Sequence, residues 1–385
     1  MKKFFLFVFA VAFVATGFAQ TLKTMTFAGQ ERAWIEIAPA NTGVAKPVMF
    51  LLHGLGDTIS DYAEMVQTYA NKPDWYYIIP QALHFNVDIP GVFSQDMGPA
   101  WNVGATIDVP LGTEPLVMPI NAEIDDPGFL LAILDSLNAD KDSVFFSGFS
   151  LGGFMSNRMG IEHSSRINAI ASVSGTIGNN LYDSIPTAPV HVLHIHGTAD
   201  DIISYADGSL NMLVQVNIGL GAEACVDFWI NHNACDTVPS LYAYPNTADD
   251  DLTFERYNYT NPDNQTRVSF IKVENGAHEW YKQPAHDIDY FKEVVKFFGG
   301  VFGSGVPVRQ LANSNTCTIY PNPVSNTLHV KGTTPGMLLQ IYNILGSKVL
   351  ETKLEQTENS INVSFLPKGL YLVKIENITR KIVIQ

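Results

Sequence analysis

At residues 142–159 the chain reads DSVFFSGFSLGGFMSNRM, an apolar run that feeds Gly148-Phe149-Ser150-Leu151-Gly152 and then a helix-compatible segment. No other stretch constrains the fold as tightly. A serine on a sharp strand-to-helix turn needs small residues two before and two after it, and its hydroxyl then projects from the end of a sheet. The pattern therefore calls for a buried strand, a following helix, and loops gathered at one sheet edge. Alone, Gly-x-Ser-x-Gly also fits an ordinary glycine-rich turn, so the reading of Ser150 as a nucleophile depends on partners elsewhere.

Those partners follow in order. Residues 190–196, VHVLHIH, form a buried-strand pattern that ends in Gly197-Thr198-Ala199-Asp200 and sets a carboxylate just past a strand's carboxyl end. Asp200 is preferred as the acid because it follows the Gly-Thr-Ala turn directly, with the adjacent Asp201 as the alternative. Residues 268–273 read as another strand, and His278 lies in the loop after it. Imidazole has the ordinary pKa suited to taking a hydroxyl proton near neutrality, and a carboxylate on its other nitrogen fixes the tautomer. Upstream, residues 47–52 (PVMFLL) run into His53-Gly54-Leu55-Gly56-Asp57. Such a loop supplies a backbone N–H to an oxyanion, here from Leu55, beside the N–H of Leu151 after the nucleophile.

The set GFSLGG, HGTAD and GAHEW, with Asp125-Asp126-Pro127-Gly128-Phe129, Phe228-Trp229 and NHNAC at residues 231–235, resembles the secreted α/β-hydrolases of the feruloyl esterase, acetylxylan esterase and polyhydroxybutyrate depolymerase group. The resemblance covers about residues 24–298. It departs at Leu151, where the family often has a small residue, and at Ala277, where a glycine commonly precedes the base. HGLGDT and GFSLGG are also similar to the carboxylesterase and acyl-protein thioesterase branch. The resemblance implies a serine carboxylic-ester hydrolase that needs no cofactor. Its substrates would be polysaccharide-linked feruloyl or acetyl esters, or a polyhydroxyalkanoate polyester. A thioesterase or peptidase on the same scaffold is the alternative enzyme, and an inactive surface binding protein is the alternative of another class.

The first residues, Lys2-Lys3, an uncharged apolar stretch at 4–15 and small residues before Gln20, have the parts of a secretory signal peptide at 1–19. No later segment reaches the ~20 apolar residues that span a bilayer, so the mature chain is expected to lack a membrane span. A net charge of −15 argues against nucleic acid and anionic membrane surfaces as partners. His191, His194 and His196 recur along one strand, but strand-interior histidines suit that pattern better than a metal face, and no metal is assigned. In an exported protein Cys225 and Cys235 could pair or stay free, while Cys317 reads as a small buried residue.

Alternating segments predict a mostly parallel sheet with helices on both faces. Strands are expected at 24–27, 32–37, 48–52, 76–79, 144–147, 169–173, 190–195 and 268–273, and helices at 61–70, 129–137, 151–160 and 287–298. Residues 81–126 show little periodicity and are expected to form a lid or substrate wall, with Trp101 and Trp280 as candidate substrate-binding aromatics.

Glycines from Gly299 onward mark the end of an α/β-hydrolase domain at 20–300 and a linker at 301–318. Short strands at 328–330, 338–342, 360–363, 370–375 and 381–384 then predict a small all-β sandwich at 319–385. Its YPNP start, Asn343-Ile344-Leu345-Gly346, Gly369-Leu370-Tyr371 and terminal Lys381-Ile382-Val383-Ile384 resemble the C-terminal sorting domain of type IX secretion substrates. That resemblance implies handling by the type IX machinery and a secreted or cell-surface location in a Bacteroidetes-type bacterium.

Overall fold

A computed structural model describes residues 20–40, 45–69, 72–89, 93–111, 114–211, 215–303, 318–343, 348–375 and 378–385. The expected signal segment, Cys317 and most of the expected linker lie outside the described residues. The chain divides into two compact units, Met1–Val308 and Arg309–Gln385.

In the first unit the strands are β1 (Gln20–Phe27), β2 (Gln30–Ile37), β3 (Val48–Leu52), β4 (Tyr76–Pro80), β5 (His84–Ile89), β6 (Phe93–Pro99), β7 (Thr106–Leu111), β8 (Glu114–Pro119), β9 (Val144–Phe149), β10 (Ala169–Val173), β11 (His191–Gly197), β12 (Ser209–Asn211), β13 (Gln215–Asn217), β14 (Ser240–Ala243), β15 (Thr253–Thr260) and β16 (Arg267–Glu274). The helices are α1 (Ile59–Thr68), α2 (Asp126–Ser136), α3 (Leu151–Glu162), α4 (Ala222–His232) and α5 (Tyr290–Gly303). Ten strands form one sheet in the order β1-β2-β4-β3-β9-β10-β11-β16-β15-β14. Its centre, from β4 to β16, is parallel, and antiparallel strands extend both edges. Central strands such as VMFLL in β3 are buried along their whole length because helices cover both faces. Helices α2, α3 and α4 pack on one face through Phe129, Phe154, Met155 and Trp229. On the other face α1 and α5 pack through Tyr62, Val66, Phe291 and Val294. This is the expected α/β-hydrolase architecture.

Three details differ from expectation. Residues 81–126 are built as two hairpins, β5-β6 and β7-β8, and Phe85 and Val87 of the first enter the core. Helix α5 continues through Gly299 and Gly300 to Gly303. Two glycines weaken a helix by about 1 kcal/mol each, but Val301 beyond them is buried against the sheet and offsets that cost. Helix α4, which carries Phe228 and Trp229, and strands β14 and β15 add to the expected elements.

The second unit holds β17 (Thr318–Tyr320), β18 (Thr327–Lys331), β19 (Leu338–Asn343), β20 (Lys348–Lys353), β21 (Glu358–Asn362), β22 (Gly369–Ile375) and β23 (Ile378–Ile384). They form two antiparallel sheets, β17-β18-β21 and β20-β19-β22-β23. Leu328 and Val330 of one sheet share a core with Leu339, Ile341, Val373 and Ile382 of the other. The period-2 burial of β22 follows from having only its inner face covered.

Candidate active site

Strands β9, β11 and β16 are parallel members of one sheet, so the residues that follow them emerge at the same edge. These residues are Ser150, Asp200 and, at the end of a short loop, His278.

Ser150 has φ 53° and ψ −121°, a backbone conformation that costs an L-residue on the order of 1–3 kcal/mol. The surroundings enforce it. A Cβ on Gly148 would lie 2.3 Å from the carbonyl carbon of Gly152, and one on Gly152 would lie 2.0 Å from the Leu52 oxygen. Only glycine fits at either position. The turn is also tied to the sheet, because Ser150 N–H donates to Val173 O at 2.9 Å.

His278 Nδ1 lies 2.8 Å from Asp200 Oδ2, and Asp200 Oδ1 accepts the N–H groups of Ile202 and Ile203 at 3.0 and 2.8 Å. Asp201 is exposed and does not take this place. A further contact comes from His196, whose Nε2 is 2.9 Å from Ile203 O and 3.3 Å from Asp200 Oδ2. Since a carbonyl only accepts, Nε2 of His196 carries the proton. Burial by itself would raise the Asp200 carboxyl, yet the hydrogen bonds from His196 and His278 prevail and hold it well below the usual carboxylate range. The carboxylate is thus ionised and aimed at the imidazole.

The segment bearing His278 is braced on two sides. Phe149 packs on the imidazole at a ring separation of 4.7 Å, and Ala277 N–H donates to the Tyr281 hydroxyl at 2.8 Å. Among the described residues Ser150 Oγ makes no hydrogen bond. Such contacts commonly tighten only when substrate is bound.

The loop after β3 comes within van der Waals reach of the serine, since a Cβ on Gly54 would sit 3.4 Å from Ser150 Cβ. Its N–H groups can be followed one by one. Gly54 N–H is shared by Asp57 Oδ2 and the Tyr62 hydroxyl, Gly56 N–H donates to Pro99 O, and Asp57 N–H donates to Gly54 O. Among the described residues the Leu55 N–H has no acceptor, and the Leu151 N–H, in the first turn of α3, has none within its helix. His53 braces the loop from below. Its Nδ1–H donates to Gly54 O at 2.6 Å, and Nε2 accepts from Ala82 N–H and the Gln81 amide, each at 3.0 Å. Burial keeps this imidazole's pKa below its ordinary value, which suits the neutral tautomer.

Trp101 does not line a substrate surface. It is fully buried, its indole N–H donates to His53 O at 3.0 Å, and its ring packs on the His53 ring at 5.0 Å. It therefore anchors the loop that holds Leu55. Trp280 remains partly exposed, in edge contact with Phe149 and Tyr290, and borders a cavity of about 410 Å³. Cys225 and Cys235 are free thiols with different neighbours, Asn157 Oδ1 and Thr266 O. Among the described residues no group of three or more His, Cys, Asp or Glu is arranged to hold a metal ion.

The residues that sequence reasoning did not single out for the site are His196, Tyr281 and the Asp57–Tyr62 pair. His196 stands four residues before Asp200, and that spacing across a strand-end turn was the available signal.

Residues 35–219 match the phospholipase/carboxylesterase family, and residues 318–385 match the secretion system C-terminal sorting domain. A chain named as the esterase NocK, from Nocardia uniformis subsp. tsuyamanensis, is 26% identical over 313 residues, which cover 77% of this chain and 80% of that one. Feruloyl esterase B of Piromyces equi is 26% identical over 191 residues, 47% of this chain, and the match spans 31% of that enzyme's length. Acyl-protein thioesterase 2 of Zea mays, a solved structure, gives a TM-score of 0.41 at 17% identity, over 70% of this chain and 99% of that one.

Proposed function

We propose that this carboxylic-ester hydrolase, whose residues 35–219 match the phospholipase/carboxylesterase family, acts as a secreted serine esterase through an acyl-enzyme on Ser150. The observation that carries this reading is the His278–Asp200 contact of 2.8 Å beside a serine at φ 53°.

In the proposed reaction Ser150 Oγ attacks the ester carbonyl carbon while its proton passes to His278 Nε2. Asp200 keeps the other ring nitrogen protonated, so Nε2 is the free base, and it stabilises the imidazolium that forms. The carbonyl oxygen gains charge between the N–H groups of Leu55 and Leu151. Loss of one such donor typically costs about 10²–10³ in rate. The intermediate collapses as His278 returns the proton to the leaving alkoxide, which departs as the alcohol. Water then gives a proton to His278 and its oxygen to the acyl carbon. The carboxylic acid leaves and Ser150 recovers its hydrogen.

Esters attached to polysaccharide are the favoured substrates, with feruloyl or acetyl groups ahead of polyhydroxyalkanoate. The similarity to feruloyl esterase B and the sorting domain support this choice. Export would use the signal segment at 1–19 and type IX machinery acting on the C-terminal unit. The test is hydrolysis of p-nitrophenyl acetate by the full chain beside Ser150→Ala, each checked by circular dichroism. A fall on the order of 10⁶-fold is expected, and equal turnover would remove Ser150 as nucleophile. Methyl ferulate, acetylated xylan and polyhydroxybutyrate would then rank the substrates.

A further inference from the structure

The cavity beside Trp280 has a chemistry that ester hydrolysis at Ser150 does not use. It measures about 410 Å³ and lies between the end of α1, the loop after His278 and the start of α5. Tyr69 and Trp280 give it aromatic surface, while Lys282, Gln283, Asp289 and Lys292 give it polar groups. Two observations make these groups notable. The Trp280 indole N–H is buried and has no acceptor, although a buried indole N–H normally finds one. In addition, residues 20–317 carry 14 Lys and Arg against 34 Asp and Glu, and among the described residues at least seven of those cations are ion-paired. In so acidic a chain a lysine has carboxylates to choose from. Yet among the described residues the Lys282 ammonium makes no hydrogen bond or ion pair, and the Lys292 ammonium bonds only the Gln283 side-chain oxygen, at 2.7 Å.

Two ammonium groups without carboxylate partners, at the mouth of a cavity with aromatic walls, favour an anionic ring. The remaining groups narrow the choice. Asp289 Oδ1 caps α5 by accepting the Lys292 N–H at 3.0 Å, which leaves its second oxygen available to a donor. A carboxylate in the cavity accepts hydroxyls, so it favours an anion that also carries sugar hydroxyls over a simple inorganic anion. The C–H face of a pyranose suits the Trp and Tyr rings. The site is close to the candidate base, because Phe149 touches both the His278 ring, at 4.7 Å, and the Trp280 ring, at 6.2 Å.

We propose that this cavity is a subsite for a uronic-acid sugar of the polysaccharide that carries the scissile ester, with its carboxylate held by Lys282 and Lys292 and its ring against Trp280 and Tyr69. The proposal rests on the reading of the chain as an esterase of polysaccharide-linked esters and specifies the sugar next to the bond cleaved.

The test is calorimetric titration of the full chain carrying Ser150→Ala, so that no turnover intrudes. The probes are a glucuronic-acid-substituted xylo-oligosaccharide, the neutral xylo-oligosaccharide of equal length, and free ferulate. Acidic oligosaccharide is expected to bind about tenfold or more tightly than the neutral one, the scale of a charge-assisted hydrogen bond. A Lys282→Gln, Lys292→Gln variant should erase that preference while its circular dichroism is unchanged, since neither side chain is buried. Equal binding of acidic and neutral sugars, a preference that survives the double substitution, or preferential binding of ferulate would each overturn the proposal. Turnover of p-nitrophenyl acetate reports on the esterase reading separately. Turnover without acidic-sugar preference defeats the subsite alone, and acidic-sugar preference without turnover defeats the esterase reading alone.

Discussion

One oxygen of Asp200 serves two imidazoles, and that arrangement yields a pH prediction with a definite sign. The folded carboxyl lies below its unfolded value of about 3.9. Its contribution to stability is therefore complete above that value and is lost as the pH falls through it toward the folded pKa. Urea midpoints taken from pH 6 down to pH 3 should fall steeply in the wild type. They should fall less in His196→Phe, which lacks one donor to Asp200. The same substitution should lower kcat by about tenfold or more, the scale of a hydrogen bond to a charged group. Trp101→Phe offers a second test at this scale. It removes the N–H that holds His53 O, so kcat should drop while KM for p-nitrophenyl acetate stays unchanged, whereas a substrate-lining tryptophan would chiefly raise KM. The placing of Ser150, Asp200 and His278 after parallel strands of one sheet was legible in the sequence because each follows a local pattern of strand, turn and loop. The roles of His196 and Trp101 were not. In VHVLHIH the histidine looks like any strand residue until the turn brings Asp200 back beside it. An aromatic residue in an irregular stretch carries no sign of which way it faces.

Among the elements, the buried ion pair between Arg32 of β2 and Asp126 of α2 connects the sheet to the helix that precedes β9. The atoms are 2.6 Å apart, neither side chain is more than 1% exposed, and the guanidinium lies 3.9 Å from the centre of the Phe129 ring. Asp126 Oδ2 also accepts the Asn102 N–H at 2.7 Å, next to Trp101. Asp126→Ala would leave Arg32 charged and unpaired in the interior, a loss of about 3–5 kcal/mol measurable by urea unfolding. The run Asp125-Asp126-Pro127-Gly128-Phe129 thereby gains a physical reading: Asp125 caps α2 through Gly128 N–H, and Asp126 holds the strand. Elements at the centre of the sheet were readable because burial on both faces leaves continuous apolar runs, as in β3, β9 and β10. Those at the margins were not. Strand β15, TFERYNYT, is half-buried and largely polar, the hairpins at 84–119 are punctuated by proline and glycine, and α4 mixes Cys, Trp, Asn and His in a way that no simple period captures.

At the scale of the whole molecule, charge divides along with structure. Residues 318–385 carry seven Lys and Arg against four Asp and Glu, in contrast to the acidic chain before them. Each unit also has its own buried core, so neither depends on the other for the apolar burial that stabilises it. Ser150, Asp200, His278, Leu55 and the residues that brace them all belong to the first unit. Deletion of residues 318–385 should therefore leave kcat/KM for p-nitrophenyl acetate and the thermal midpoint of the first unit unchanged. In a host with type IX machinery the same deletion should retain the esterase within the cell, while the full chain reaches the surface or medium. Activity measured in cell and medium fractions, beside the purified truncated protein, separates the two effects. A truncated protein that is folded but inactive would make the C-terminal unit part of the catalytic structure, and a truncated protein that still leaves the cell would deny it the sorting role.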